Sequence, residues 1–336
     1  MRSLKVALPL IAAVLVAFFA AGLAQADPVK IRLSYVIAPS DWAPLLPEKP
    51  DLLKHNGKSY QLEVVRVVGT PALVQAMANN EIEIGNHSYS SLGIAIQNAG
   101  MDDLRVISDQ FQDGVPGKST TQYYVLKDGP IQKVEDLKGK VVSSNAAGSA
   151  VDVAMRAMLK KHGLEDKRDF TFIEAPLPAQ KAMLLDKKTD LIPSVVPFQH
   201  DPELKAKGRI LFTQRDIMGV TQMIVYTARK SFIDKNRAAM VDFLEDTLRV
   251  VRWYLDPKNH DEAVAIASKL TKIPPDRFSW LFTDQDYARN GNLMPDLKAL
   301  QANVDTTQQL GFIRAKLDVQ KYTDLSLIQE AAARLK

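Results

Sequence analysis

The strongest constraint on this chain is a pattern of short β-rich runs alternating with helical stretches, which runs once and then begins again. Val29–Val36 reads as a strand, with Ile31, Leu33 and Tyr35 on one face. Leu62–Val68 is a second strand ended by Gly69, after which Thr70-Pro71 opens a helix as N-cap and first-turn proline. Ile82–Ile84 starts another strand, Ser88–Asn98 is helical, and Leu104–Ser108 is a further strand. The same order resumes after Tyr123. Strands at 140–143, 170–173 and 191–196 alternate with helices at 149–161 and 178–186. Strands separated by helices of this length imply parallel βαβ units with right-handed crossovers. From the β-run at Gln222–Thr227 onward the chain reads as nearly all helical. The firmest helix is 231–255, with Met240, Phe243, Leu244, Leu248 and Val251 at helical spacing.

Two such units and no Gly/Ser linker predict an α/β protein of two Rossmann-like lobes joined by a two-strand hinge, with a helical C-terminal part. The expected lobes are 27–122 with 222–336, and 123–221. Ligands in open α/β sheets bind beyond the carboxyl ends of the strands. The loops that matter are therefore 38–42, 85–90, 145–149 and 196–199.

The first residues set the compartment. Arg2 and Lys5 precede an almost wholly apolar run from Val6 to Leu23, and Ala24-Gln25-Ala26 supplies a small-x-small cleavage pattern. Residues 1–26 are expected to be a cleavable export signal, cut after Ala26, which leaves a periplasmic protein. Arg2 and Lys5 also supply part of the formal charge of +4. No dense basic stripe remains, so a nucleic-acid partner is not expected. The chain has no cysteine, which excludes thiol catalysis and thiolate metal sites. The five histidines are scattered singly, no G-x-S-x-G elbow occurs, and Gly117-Lys118-Ser119-Thr120 lacks the first glycine of a phosphate-binding loop. No metal, no cofactor and no catalytic residue is expected.

Ile82-Glu83-Ile84-Gly85-Asn86, the run Val134-Glu135-Asp136-Leu137-Lys138-Gly139-Lys140-Val141-Val142, and Gly148-Ser149 resemble the periplasmic components of sulfonate, taurine and nitrate importers. The resemblance covers nearly the whole chain after residue 26. It implies a type II binding protein that closes around its ligand, acts as a monomer and hands the ligand to the permease of an ABC transporter. It also implies that the turn at Gly148-Ser149 holds a sulfonate or carboxylate.

From the residues alone the Gly148-Ser149 turn reads equally as an anion site or as a helix cap, and the resemblance favours the anion. Gly148-Ser149 opens a helix, and a helix N-terminus offers unpaired N–H groups and a partial positive charge. Asn145 shares that loop. The alternative role for Ser149 is a cap for its own helix, with Asp152 completing a near capping box. Asn86, His87, Ser88 and Tyr89 form a donor-rich segment at the matching place in the first unit, His87 being either a neutral donor or a charged partner. Ser40, Asp41 and Trp42 follow the first strand. Trp42 reads equally as a wall over the ligand or as core, and Asp41 as a receptor for a ligand ammonium or as a cap. Gln122, beside the first crossing, completes the set together with Pro197 and Phe198. In Val195-Val196-Pro197-Phe198 two valines replace the polar residues of many relatives, which favours a more apolar or aromatic anion. A neutral heterocycle such as a pyrimidine precursor, or a ligand-presenting sensor subunit, are the alternative readings. An enzyme of the same fold is the less favoured class.

Overall fold

The computed structural model describes residues 27–336; the expected export signal, residues 1–26, lies outside them. The strands are β1 Val29–Tyr35, β2 Tyr60–Arg66, β3 Ile84–Ser88, β4 Leu104–Asp113, β5 Gln122–Leu126, β6 Lys140–Ser144, β7 Phe170–Glu174, β8 Ile192–Ser194, β9 Gly208–Thr213 and β10 Thr221–Arg229. The helices are α1 Thr70–Ala78, α2 Tyr89–Gln97, α3 Ala150–Lys161, α4 Gln180–Leu185, α5 Pro202–Lys207, α6 Gln214–Met218, α7 Lys230–Leu255, α8 His260–Thr271, α9 Leu297–Gln309 and α10 Ser326–Ala333. Among the described residues no helix is long and apolar enough to cross a membrane.

Two sheets result. The first has the order β2-β1-β3-β10-β4. Its β1 pairs in parallel with β2 and β3, while β10 runs antiparallel between β3 and β4. The second is built from β8-β5-β9 and the parallel pair β6-β7, linked by a bridge between Val142 and Leu191. Helix α7 lays Met240, Phe243, Leu244, Leu248 and Val251, all fully buried, against the first sheet's core. A second cluster joins Leu73, Tyr89 and Leu92 of the first lobe to Ala150, Val151 and Val196 of the second. The lobes therefore meet over an apolar seam.

The chain passes between the sheets twice. Thr221 pairs with Asp113 and Gln122 with Thr213, so the crossings run side by side. Arg215 ties them, its Nε donating to the Gly114 carbonyl at 2.9 Å and its Nη2 to the Val115 carbonyl at 2.7 Å. Gly114 has φ +75°, and a Cβ there would sit 2.2 Å from the Gly219 carbonyl oxygen. Only glycine meets both demands.

Two expectations need correction. The strand foreseen at Ile82–Ile84 occupies Ile84–Ser88 instead, so Asn86, His87 and Ser88 belong to a central strand rather than a loop. Pairing with β10, distant in sequence, satisfies their backbone groups. The C-terminal part is also less helical than expected. Irregular chain separates α8, α9 and α10, because Pro274-Pro275, Asn290-Gly291-Asn292 and Pro295 cannot propagate a helix.

Candidate functional site

Strand ends and helix starts from both lobes enclose a cavity of about 70 Å³. Its polar lining is Ser40, Asp41, Thr70, Ser88, Asn145 and Ser149. Thr70 is the first residue of α1, Ser88 caps α2 and Ser149 caps α3. Three helix N-termini thus converge on one space, while the lining contains no lysine or arginine. A helix N-terminus carries a partial positive charge and N–H donors without intrahelical partners, although in α1 Pro71 has no N–H and the Ala72 and Leu73 N–H groups turn back to the Gly69 carbonyl. On the α3 side the backbone N–H groups of Ala150 and Val151 have no partner among the described residues, and both residues line the cavity. The remaining wall is apolar, formed by Val36, Ile37, Leu177, Val195, Val196 and Met223 among others. Phe111 and Tyr287 also line it and stack on each other, their ring centroids 4.8 Å apart.

The turn before α3 is more self-contained than its sequence suggests. The Gly148 N–H donates to Asp152 Oδ2 at 2.8 Å, and the Ser149 N–H donates to the Ala146 carbonyl. Ser149 Oγ donates to Asn145 Oδ1 at 2.8 Å and accepts from the Asp152 N–H at 3.3 Å. Ser149 is therefore a cap, and the free donors belong to the next two residues. Gly148 keeps a structural role: its φ is +76°, and a Cβ there would lie 3.0 Å from Ile94 Cδ1. Burial pushes the Asp152 carboxyl up to about 6, against the pull of Arg156 and the Gly148 N–H.

Asp41 is almost fully buried and faces the cavity. Its Oδ2 accepts from the Val36 and Ile37 N–H groups at 2.7 and 3.0 Å, and from Asn86 Nδ2 at 3.5 Å. Burial raises its pKa, while those donors and Arg289 pull it back. Ser40 Oγ donates to the Val196 carbonyl at 2.7 Å, a bond from one lobe to the other.

The other candidates separate. Trp42 is core: fully buried, it stacks on Phe282 at 5.5 Å and donates Nε1 to the Gln110 carbonyl. The Arg289 guanidinium lies 4.5 Å from its ring. Trp42 follows Asp41 where the chain turns inward, so the reading as a wall over the ligand gives way to core packing. His87 is fully buried in β3 with Nδ1 on Thr227 Oγ1 at 2.7 Å, and burial drives its pKa down to about 3. It cannot carry a charge opposite an anion at neutral pH. Asn86 is not among the lining residues, and its side chain holds Ser34 and Asp41. Tyr89 is buried in the seam and reaches the second lobe. Gln122 sits at the crossing, accepting from Tyr124 Oη. Pro197 and Phe198 turn away into a separate groove with His200 and Phe278, leaving Val195 and Val196 to line the cavity.

Several lining residues escaped sequence reading. Phe111 and Tyr287 carry no local motif, and their stacking joins positions far apart in the chain. Thr70 was legible only as a helix start. His55, Asp242 and Glu245 also come together, but Arg334 Nη1 lies 2.8 Å from Asp242, and Arg249 pairs with Glu245. That cluster is a closed ion-pair network.

Two α/β lobes, a paired crossing and a small cleft cavity define a type II periplasmic binding protein fold. The chain belongs to the NMT1-like family, whose model matches residues 24–268. It is similar to the alkanesulfonate-binding protein SsuA from Xanthomonas axonopodis pv. citri bound to MOPS, with 17% identity and TM-score 0.69, over 89% of this chain and 99% of that one. It is also similar to the periplasmic nitrate-binding protein NrtA from Synechocystis PCC 6803, with 17% identity and TM-score 0.68, over 92% and 89%. The desulfurization enzyme DszB shares the fold at 13% identity and TM-score 0.64, over 92% and 100%. No curated protein matches the chain.

Proposed function

We propose that this chain is the solute-binding component of an ABC importer, acting outside the cytoplasm, and that it captures a small organic anion between its lobes and delivers it to the permease. The observation that carries the reading is the convergence of three helix N-termini, with the free Ala150 and Val151 N–H groups, on a cavity lined by no cation. Backbone amides of this kind hold an anion by fixed dipoles. The apolar wall suits a short hydrocarbon body. A volume of about 70 Å³ is about half that of the roughly 150 Å³ apolar cavity known to hold a benzene ring. This favours a short alkanesulfonate or carboxylate over the bulky aromatic anion that the two valines suggest from sequence. Asp41 adds an acceptor for a ligand N–H or ammonium. Binding is favoured over catalysis because the chain has no thiol and because the cavity's hydroxyls Ser40 and Ser149 are engaged in structural bonds.

The test is a single backbone deletion. Ala150 is the first residue of α3 and follows an extended Ser149, with φ −68° and ψ 161°, a setting in which proline is tolerated. Ala150→Pro removes one N–H and no side-chain polar group. Calorimetry with propanesulfonate, butyrate, taurine and nitrate is expected to show about a tenfold or greater loss of affinity for the best ligand, at little cost in stability. Undiminished anion binding in this variant would overturn the amide-held site.

A second reading rests on the stacked Phe111–Tyr287 pair beside Asp41, which suits a flat neutral heterocycle with N–H donors. Cytosine and a 4-aminopyrimidine in the same titration distinguish it.

A further inference from the structure

Three hydroxyls of the first lobe end on carbonyls of the cavity-lining turns of the second. Tyr89 Oη donates to the Ala150 carbonyl at 2.7 Å, Ser90 Oγ to the Gly148 carbonyl at 2.8 Å, and Ser40 Oγ to the Val196 carbonyl at 2.7 Å. All three side chains are buried, and all three belong to the first lobe while their acceptors belong to the second. A return bond runs from the Val196 N–H to Tyr287 Oη at 3.3 Å. None of these contacts requires a ligand.

The Tyr89 bond has a special position. The Ala150 carbonyl and the Val151 N–H are the two ends of one peptide group. A donor on the carbonyl polarises that group and makes its N–H a stronger donor. Tyr89 therefore strengthens the unpartnered N–H of the cavity-lining Val151, and does so only when the lobes are together. It also fixes that peptide plane from the opposite side of the cleft.

We propose that Tyr89 and Ser90 are positioning residues that latch the lobes closed without ligand and couple closure to the donor strength of the α3 N-terminus. The closed form is then populated before binding, and the ligand selects it. Affinity follows the closed fraction, so weakening the latch weakens binding with every cavity-lining side chain intact. The coupling to affinity rests on the anion-binding reading; the latch itself does not.

The experiment exploits the absence of cysteine. Lys54→Cys in the first lobe and Lys188→Cys in the second place spin labels at exposed positions, and pulsed dipolar spectroscopy reads their separation in ligand-free protein. The parent is expected to show a closed population, and Tyr89→Phe and Ser90→Ala are each expected to reduce the closed-to-open ratio about fivefold. The two together are expected to reduce it further. Calorimetry with propanesulfonate is expected to show a parallel loss in each variant. A parent with no closed population, or a distance distribution unchanged in both variants, overturns the latch. If Tyr89→Phe fails to fold, Ser90→Ala decides alone. Failure of propanesulfonate to bind the parent, with the distance changes intact, strikes the anion-binding reading and leaves the latch standing.

Discussion

Acid should destabilise this protein through His87 in a way that one substitution removes. His87 is buried in the central strand β3, with Nδ1 on Thr227 Oγ1 and Nε2 without a partner among the described residues. Burial holds its pKa at about 3, against 6.5 for an open imidazole. Between those values the unfolded chain binds a proton at this site and the folded chain does not. The stabilisation from keeping His87 neutral is therefore complete above pH 6.5 and is lost as pH falls toward 3. At pH 4.5 the unfolded state is favoured by about two pH units of proton binding, on the order of 2–3 kcal/mol. Urea denaturation at pH 7 and pH 4.5, on the parent and on His87→Leu, measures this. Buried carboxyls whose pKa values are raised, Asp41 and Asp113 among them, act in the opposite direction, but they are common to both proteins and cancel in the comparison. His87→Leu is expected to lose about 2–3 kcal/mol less than the parent between the two pH values, while its ligand affinity at pH 7 stays unchanged. Identical pH dependence in the two proteins would refute the reasoning, since His87 would then titrate alike in both states. A large loss of affinity would return it to the binding site.

Three further outcomes follow from the geometry. Ser149→Ala is expected to lower stability by about 1 kcal/mol as a lost cap, with ligand affinity within about threefold of the parent, because its hydroxyl is engaged by Asn145 and Asp152; thermal melts and calorimetry separate the two effects. Gly114→Ala places a Cβ 2.2 Å from the Gly219 carbonyl oxygen at positive φ, so a loss of about 2–3 kcal/mol or a displaced crossing is expected, read by denaturation and by small-angle scattering with and without ligand. Asp41→Asn removes a negative charge from the cavity while keeping an acceptor for the Val36 and Ile37 N–H groups. Binding of a simple carboxylate is expected to strengthen by about 1 kcal/mol, roughly fivefold, and binding of taurine to weaken.

Legibility in the sequence divides by range. Helix α3 begins where Ser149 and Asp152 place it, because a cap acts over three residues. Helix α7 lies where its apolar spacing predicts, because its buried face repeats within the helix. Asn145, Ser149, Ser40 and Asp41 were legible as cavity residues, being polar groups at strand ends. His87 was misread because β10, which encloses it, is remote in sequence. Trp42 was balanced between two roles that only its stack on Phe282 separates.

The sequence by itself determined a two-lobed α/β chain without thiol chemistry, whose polar strand ends and helix caps suit an anion. These properties are local: period, cap and composition act within a few residues. The tertiary structure decided which donors remain free. It assigned the Gly148 N–H and the Ser149 hydroxyl to the turn itself, left the N–H groups of the cavity-lining Ala150 and Val151 without a partner among the described residues, and brought Phe111 and Tyr287 to the cavity wall. Whether a hydrogen-bonding group is available depends on every neighbour packed around it, and those neighbours come from distant parts of the chain.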